Sequence, residues 1–500
     1  MRPLPNHVCR LAVLCSALSS VVKVSAGSFL SPGAAAVPAV EADGVGITSR
    51  AALSSPWPNG PFVTSDRWVT DASGNIVTYA GVNWPGHIDV MIPEGLQYQS
   101  VAALVSKVKS LGMNAVRLTY AIEMVDQIVD NGNRDIPISK AFVDVLGQEN
   151  GTAVLQRVLG NNKGIFDENT TRLQVFDAVA AECARQQIYV HLDNHVSKAG
   201  WCCNPFDGNS WWGDKYFSAA NWTRGLAYMA NHGKNWPNLM SMALRNELRL
   251  PIFSGGSPEL YNWDTWYKRM REGADAVHGA NGDVLVFLSG LNSDKELGPV
   301  VQQDTTLNGG SSKFSRTDFK GYGDNKLVSR ELDDAGFVAL GDNNTSTRSN
   351  AGGDTNRFPV LLTEFGFPQD PTTWNMTIHR CTEKFLADRQ AGWTIWSLGG
   401  SYYIREGTPD YDEPWGLLSH DWSDWRSPEH IQGGLRPLAK ASLAASGGPA
   451  PPVKSSPNHD GGAGTGKDGT NSGGVQRRGL SIAPLCFWAA LTHYIVALVL

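Results

Sequence analysis

The chain has 500 residues, of which 42% are hydrophobic, with 53 glycines, 17 tryptophans and a formal net charge of −6. This length allows one large hydrophobic core with additional tails, since α/β barrels commonly exceed about two hundred residues. The mild acidity is spread along the chain without a basic block, which argues against a nucleic-acid partner.

The first 26 residues have the features of a secretory signal peptide. Arg2 and Arg10 provide a positive start, an apolar stretch covers residues 11–22, and small residues near Ala26 form a cleavage site. Such a segment is removed from the mature protein and directs it out of the cell. Residues 27–55 are rich in Ala, Pro and Gly and are predicted to form a low-complexity segment.

Residues 56–442 are predicted to form one folded domain. A hairpin around the turn at residues 71–75 opens it, and apolar runs of strand length then alternate with helical patterns. Eight strands separated by helices predict a (β/α)8 barrel of the α/β class. The predicted strands are residues 77–83, 114–119, 188–193, 239–245, 284–288, 326–328, 359–363 and 393–398. The predicted helices are residues 101–111, 173–186, 219–231 and 260–278.

The C-terminal region has two parts without a predicted core. Residues 443–471 are rich in Gly, Ser and Pro, which predicts a flexible stalk. Residues 472–500 combine small residues, a polar spacer and an apolar tail, the pattern of a GPI-anchor signal that is removed when the lipid is attached. The alternative is a C-terminal transmembrane anchor, for which Pro484 and His493 are unfavourable. The sequence thus predicts a secreted protein at the cell surface or cell wall.

Four of the seven cysteines lie in the predicted domain, and an even set in a secreted chain permits up to two disulfides with three connectivities. They are Cys183, Cys202, Cys203 and Cys381. We expect the adjacent Cys202 and Cys203 not to be bonded to each other. Asn-x-Ser/Thr sequons such as the one at Asn221 add to the prediction of a secreted glycoprotein.

Two apolar runs end in carboxylates that are far apart in the chain. One ends in Asn246-Glu247 and the other in Glu364. Polar residues at the C-terminal ends of barrel strands form the active sites of this fold. Two carboxyl groups about 5 Å apart, one attacking the anomeric carbon and one protonating the leaving oxygen, perform retaining glycoside hydrolysis. The alternative for each glutamate is a carboxylate that stabilises the start of a helix.

Six short motifs occur along the domain in a fixed order. They are Gly81-Val-Asn-Trp84, Asn114-Ala-Val-Arg117, Leu192-Asp-Asn-His195, Arg245-Asn-Glu247, Thr363-Glu-Phe-Gly366 and Thr394-Ile-Trp396. In this order they resemble glycoside hydrolase family 5, the cellulase-like branch of the clan A retaining β-glycosidases. The resemblance is to secreted, GPI-anchored members of the kind found in fungi. It implies a (β/α)8 barrel with one catalytic glutamate after the fourth strand and another after the seventh.

The resemblance also implies roles for individual residues. Glu247 would be the general acid/base and Glu364 the nucleophile. Asn246 would hydrogen-bond the sugar 2-hydroxyl, and Arg117 would keep Glu364 ionised through its fixed charge. His195 would lie beside the substrate.

Aromatic residues are expected to form the walls of the substrate cleft. Trp396, at the end of the eighth strand, resembles the sugar platform of the family. The loop at residues 201–212 is predicted to line the cleft, with its shape fixed by a disulfide. For Trp211 and Trp212, packing within that loop is the alternative.

The chain departs from the family pattern in two places. Leu248 follows Glu247 where the family usually has proline, a tolerable change. The family also has His-x-Tyr after the sixth strand, whereas no His or Tyr lies between Tyr322 and Glu364 here. Either the site is altered in this segment or an exon boundary has been misread.

The most direct interpretation is a monomeric endo-β-glycosidase that needs no metal or other cofactor, and the resemblance implies β-linked glucans of the cellulose type as its substrates. Mannan, other β-glucans and glycosylated lipids are alternative substrates, and a transglycosylase would differ only in whether sugar or water intercepts the glycosyl-enzyme. One alternative is a non-catalytic carbohydrate-binding wall protein on a degenerate barrel. Another is a metal-dependent hydrolase that uses His191, Asp193 and His195, which lie on one face of a strand. For His191 a hydrogen-bonded core position is the other interpretation.

Overall fold

The computed structural model describes residues 57–252, 255–301, 306–309, 312–315, 318 and 358–451, and the backbone of Leu327–Arg330. The predicted signal peptide, the segment at residues 27–55, the predicted GPI signal and most of the predicted stalk lie outside the described residues. So does most of the segment in which the family's His-x-Tyr would occur.

Eight parallel strands close into a barrel, which confirms the predicted fold class. The domain begins with a small antiparallel sheet of β1 (Val63–Ser65), β2 (Trp68–Thr70) and β3 (Ile76–Val77), of which β2 and β3 form the predicted hairpin. The barrel strands are β4 (Ala80–Trp84), β5 (Ala115–Ala121), β6 (Tyr189–Val196), β7 (Leu239–Ala243), β8 (Leu285–Leu288), β9 (Leu327–Arg330), β10 (Val360–Leu362) and β11 (Gly392–Ile395). Each of the eight predicted strands overlaps one of these. A hairpin of β12 (Ser401–Arg405) and β13 (Thr408–Asp412), which the sequence did not predict, follows the last barrel strand.

Helices surround the barrel and cover its outer face. They are α1 (Val101–Ser110), α2 (Ile122–Asp130), α3 (Ile138–Leu146), α4 (Gln148–Asn161), α5 (Arg172–Arg185), α6 (Ala219–His232), α7 (Trp263–Ala280), α8 (Thr377–Arg389) and α9 (Arg436–Ser442). The four predicted helices correspond to α1, α5, α6 and α7. Each of these begins at a side chain that accepts a hydrogen bond from the first turn, which is a clear start signal.

The helices α2, α3 and α4 lie between β5 and β6 and were not predicted. None of the three begins with a side-chain cap. In addition, α4 contains Gly151 and Gly160, which weaken its intrinsic helix propensity. The buried faces of these helices, such as Met124 in α2 and Phe142 in α3, pack into the main hydrophobic core. Tertiary packing therefore stabilises helices for which the local signals are weak.

The interior of the barrel is filled with side chains that form a distinct layer. The hydroxyl groups of Tyr79 and Ser241 lie 2.6 Å apart, and His191 Nδ1 lies 2.8 Å from the same Ser241 oxygen. The rings of His191 and Phe287 are in edge contact at 4.6 Å between centroids. His191 is therefore a hydrogen-bonded core residue, which is the second of the two interpretations of its sequence position.

The N-terminal sheet closes the bottom of the barrel. Phe62 packs edge-on against Tyr189, the first residue of β6, with ring centroids 5.5 Å apart. The end of the described chain lies along the same sheet, because the Ile76 amide donates to the Gly448 carbonyl at 2.8 Å. The folded domain thus continues past residue 443, where the stalk was predicted to start. Among the described residues, no helix has the length and apolar character needed to span a membrane.

Candidate active site

The carboxyl ends of the parallel strands meet at one rim of the barrel, and the predicted site residues lie there. Arg117 is in β5 and His195 in β6, both buried. Asn246 and Glu364 follow β7 and β10, and Trp396 directly follows β11. Parallel pairing of consecutive strands brings these distant segments to the same rim.

Arg117 is the centre of the hydrogen-bond network at this rim. Its Nη1 atom donates to Glu364 and to Asn83 Oδ1, the latter at 2.8 Å. Its Nη2 atom donates to Asn246 Oδ1 at 2.8 Å and lies 2.7 Å from Asp193 Oδ2. The guanidinium group is buried, so its charge acts on these neighbours with little screening by water.

Glu364 is the most accessible member of this network, with 17% of its side chain exposed. Its Oε1 atom contacts Arg117 and lies 3.9 Å from His195 Nδ1. Glu364 is therefore held by the guanidinium group of Arg117 and is still reachable by a ligand.

His195 is held by a carboxylate and is neutral. Its Nδ1 atom lies 2.7 Å from Asp193 Oδ2, and its Nε2 atom lies 3.3 Å from Asn246 Nδ2. An amide NH₂ can only donate, so Nε2 is the acceptor and the ring proton is on Nδ1. Burial lowers the pKa of His195, although the hydrogen bond to Asp193 and the charge of Glu364 raise it in part.

The structure fixes the backbone of Glu247 in an unusual conformation. Its φ angle is 43°, in the left-handed region that non-glycine residues rarely adopt. Its amide donates to Asp294 Oδ2 at 3.0 Å, and its carbonyl accepts from Arg249 Nη1 at 2.8 Å. Backbone strain maintained by surrounding hydrogen bonds is common at functional sites. The residue is half-buried and lies four residues beyond the end of β7, next to Asn246.

Aromatic side chains form one wall beside the network. The ring of Trp396 stacks on His195 with centroids 5.6 Å apart and meets Trp201 edge-on at 6.2 Å. The guanidinium carbon of Arg405, in β12, lies 3.4 Å from the centroid of the Trp201 ring. The hairpin of β12 and β13, which the sequence did not predict, thus packs against this aromatic wall through Arg405. By contrast, Trp211 and Trp212 are fully buried, so the packing interpretation holds for both.

The loop at residues 201–212 contains a disulfide between neighbours in sequence. Cys202 and Cys203 are bonded to each other, so the expectation that they do not pair is wrong. Cys183 is a buried free thiol, so Cys183 and Cys381 are not bonded to each other. Cys203 Sγ lies 3.5 Å from Asn246 Nδ2, which places the disulfide beside the polar network. The expectation was based on sequence adjacency, whereas the loop brings both sulfur atoms to the rim.

The predicted metal triplet is not assembled. The ligand atoms of His191, Asp193 and His195 do not come together, because His191 bonds to Ser241 in the barrel interior while Asp193 and His195 bond to each other. Across the described ranges, the three-residue group with metal-binding spacing is instead His87, His195 and Cys202.

Two buried residues of the rim were not predicted as site residues. Asn83 donates to the Thr363 carbonyl at 2.9 Å and accepts from Arg117. It therefore links the first strand of the barrel to the segment that carries Glu364. His87 packs on His195 with ring centroids 4.0 Å apart. Asn83 lies within the motif Gly81-Val-Asn-Trp84, which the sequence analysis had already singled out. His87 lies three residues after β4, so a search for polar residues after every strand would have found it.

Residues 70–401 match the Cellulase family, glycosyl hydrolase family 5, and the chain belongs to that family. A glycosyl hydrolase 5 family protein of Chamaecyparis obtusa is 33% identical over 76% of this chain and 66% of its own length. The major extracellular endoglucanase of Xanthomonas campestris is 24% identical over 46% of this chain and 41% of its own length. The chain thus spans less than two thirds of the length of either relative.

Solved structures of low sequence identity share the fold. The catalytic domain of the Xanthomonas campestris endoglucanase has a TM-score of 0.50 at 20% identity, covering 77% of this chain and 99% of that one. A single-residue variant of the Pyrococcus horikoshii endocellulase, in complex with cellotetraose, has a TM-score of 0.51 at 15% identity, covering 75% of this chain and 98% of that one.

Proposed function

We propose that this protein is a retaining endo-β-glycosidase that hydrolyses β-linked glucans of the cellulose type by a two-glutamate double displacement. The observation that carries the proposal is the buried network of Arg117, which joins Glu364 to Asn246, the neighbour of Glu247. The proposal is also supported by the family and by the relatives, which include a major extracellular endoglucanase. The Pyrococcus horikoshii endocellulase with the same fold was solved with cellotetraose.

In the first step Glu364 attacks the anomeric carbon and forms a glycosyl-enzyme, while Glu247 protonates the leaving oxygen. In the second step Glu247 removes a proton from water, which displaces Glu364. Arg117 orients Glu364 relative to Asn246, because two N–H donors of one rigid guanidinium group contact both side chains. No metal or other cofactor takes part in these steps.

Asn246, His195 and Trp396 position the sugar at the reacting carbon. The Asn246 side-chain oxygen accepts from Arg117, and its amide nitrogen, which here donates to His195 Nε2, is the donor that we assign to the sugar 2-hydroxyl. His195 is neutral and its orientation is fixed by Asp193, so it can accept or relay a hydrogen bond without adding charge. Trp396 offers an indole surface on which a sugar ring can stack.

The test is an assay of the purified protein on a panel of soluble β-glucans, beside Glu364→Gln and with a chelator control. Turnover that survives chelation and is lost in Glu364→Gln supports the two-glutamate reaction. Activity abolished by chelation and restored by zinc would point to a metal-dependent hydrolase.

A second candidate function is carbohydrate binding without turnover. The absence of His and Tyr between Tyr322 and Glu364 favours it, because the family residues expected there would orient the nucleophile. A folded protein that binds glucans but hydrolyses none of them would establish this second function.

We also propose that the protein is secreted as a monomer and attached to the outer cell surface by a GPI lipid. The disulfide Cys202–Cys203 supports an oxidising compartment, and the C-terminal pattern supports the lipid. Release from intact cells by a phosphatidylinositol-specific phospholipase is the expected result. Retention on the cells after this treatment would contradict the lipid anchor.

A further inference from the structure

Three side chains at the rim come together with the spacing of a metal site. The ligand atoms of His87, His195 and Cys202 all lie within 4.8 Å of one another. Both histidines are buried, and Cys202 is half-buried and borders the cleft. Imidazole nitrogen and thiolate sulfur are both zinc ligands, so these three groups could fill three positions of a tetrahedral site and leave the fourth for water.

Both imidazole rings are already oriented as metal ligands are. His195 is hydrogen-bonded through Nδ1 to Asp193 Oδ2 at 2.7 Å, and His87 through Nδ1 to Thr119 Oγ1 at 2.7 Å. Metal-binding histidines almost always have one ring nitrogen held in this way, which leaves the other for the metal. In both rings that other nitrogen is Nε2, which in His195 accepts a hydrogen bond from Asn246 Nδ2 in this structure.

The third ligand, the Cys202 thiolate, does not exist while the disulfide is intact. Bonded to Cys203, Cys202 has no thiolate to offer. We propose that reduction of the Cys202–Cys203 disulfide creates a zinc site formed by His87, His195 and Cys202. A dithiol reductant supplies two electrons and two protons, so that the protein disulfide becomes two thiols and the reductant becomes a disulfide. Zinc then displaces the proton of the Cys202 thiol to solvent.

Zinc at this position would block the cleft. His195 Nδ1 lies 3.9 Å from Glu364 Oε1, and the same ring stacks on Trp396. A metal on Nε2 of His195 would also take the lone pair that now accepts from Asn246. Inhibition by zinc is therefore expected only of the reduced protein. This consequence rests on the proposed function, whereas metal binding itself does not.

The two cysteines provide a matched pair of variants. Cys203→Ser leaves a free Cys202 thiol without any reductant, and Cys202→Ser leaves a free Cys203 thiol. Both break the disulfide, but only the first retains the proposed ligand. Cobalt(II) is the probe, because a thiolate ligand gives it an intense charge-transfer absorption that does not depend on enzymatic activity.

We expect Cys203→Ser to bind one cobalt ion per chain with a thiolate band, and zinc to remove that band. Cys202→Ser and the oxidised wild type should show no such band. Adding His87→Gln to Cys203→Ser should weaken zinc binding at least about tenfold, as loss of a metal-site partner does elsewhere. Equal thiolate bands in the two cysteine variants would overturn the proposal, because a cysteine other than Cys202 would then be the ligand.

Wild type reduced under nitrogen is the second sample, in case a cysteine variant does not fold. It should acquire the band on reduction and lose it on reoxidation, with unchanged far-ultraviolet circular dichroism. If the reduced, folded wild type shows no thiolate band, the proposal is wrong. If the band forms but the protein hydrolyses no glucan in either redox state, the zinc site stands and the proposed glycosidase function fails.

Discussion

Arg117 and Asp193 form an ion pair with no exposed side-chain surface on either partner, with 2.7 Å between Nη2 and Oδ2. The same Asp193 oxygen lies 2.7 Å from His195 Nδ1. One buried carboxylate therefore fixes both the guanidinium group that contacts Glu364 and the imidazole that lies beside it. The stability of the barrel rim and the geometry of the proposed site depend on the same pair.

Replacement of Arg117 should destabilise the protein strongly. In Arg117→Met, Asp193 remains buried without its guanidinium partner, and breaking a buried ion pair in this way typically costs about 3–5 kcal/mol. Urea denaturation followed by tryptophan fluorescence measures the loss. The control is Lys140→Met, which breaks an ion pair with Asp144 whose side chains are 57% and 49% exposed. That change should alter stability by no more than about 0.5 kcal/mol. Equal effects of the two substitutions would show that the buried pair does not stabilise the rim.

External azide should distinguish the roles of the two glutamates. Glu247→Ala lacks the base that activates water, so a glycosyl-enzyme formed from a dinitrophenyl cellobioside accumulates. Azide is a nucleophile that needs no base, and it should restore turnover with a β-glycosyl azide as product. Glu364→Ala lacks the nucleophile, so azide can attack only the substrate itself and should give the α-product. Product configuration by NMR spectroscopy is the measurement, and the reverse pattern would exchange the two assignments.

Removal of the Asn246 amide should eliminate its hydrogen bond to the sugar 2-hydroxyl and thereby reduce stabilisation of the transition state. We expect Asn246→Ala to lower kcat/KM on an aryl cellobioside by roughly 10²-fold, as loss of a single aligned donor does in other active sites. On the matching 2-deoxy substrate, which has no hydroxyl to bond, wild type and variant should differ little. A similar loss on both substrates would mean that Asn246 acts through Arg117 and His195 instead of through the sugar.

Glu94 should make stability depend on pH. Burial raises the pKa of this carboxyl well above its usual range, although the Tyr403 amide, 2.7 Å from Oε2, lowers it in part. A raised pKa in the folded state means that the folded protein holds the proton more tightly than the unfolded chain. The stabilising contribution of Glu94 to the free energy of unfolding is therefore fully present below the carboxyl pKa of the unfolded chain. It is lost as pH rises through the pKa that Glu94 has in the folded protein.

Glu94→Gln keeps an oxygen to accept from Tyr403 and cannot ionise. Chemical denaturation at a series of pH values should show it more stable than wild type at neutral pH, with the advantage shrinking toward acid pH. An advantage that does not vary with pH would mean that Glu94 does not titrate across this range.

The helices show where prediction from sequence succeeded. Ser100, Thr171, Ser218 and Asn262 each cap a helix that was predicted, whereas α2 follows β5 with no side-chain cap and was missed. Capping and hydrophobic periodicity are local features, so they can be recognised without knowledge of the fold. Helices that are stabilised mainly by packing on the barrel carry no comparable signal.

The sequence by itself determined the alternation of strands and helices, the barrel class, and the positions of Glu247 and Glu364 beyond strand ends. It did so because strand length, apolar runs and the polar residues that follow them are properties of short segments. Only the tertiary structure decided that Asp193 joins Arg117 to His195 while His191 stays in the core. It also decided that Cys202 and Cys203 bond to each other beside Asn246. The contacts of Arg117 with Asp193 and of Cys203 with Asn246 join residues from different strands and loops, and the packing of the barrel is what brings them within contact distance.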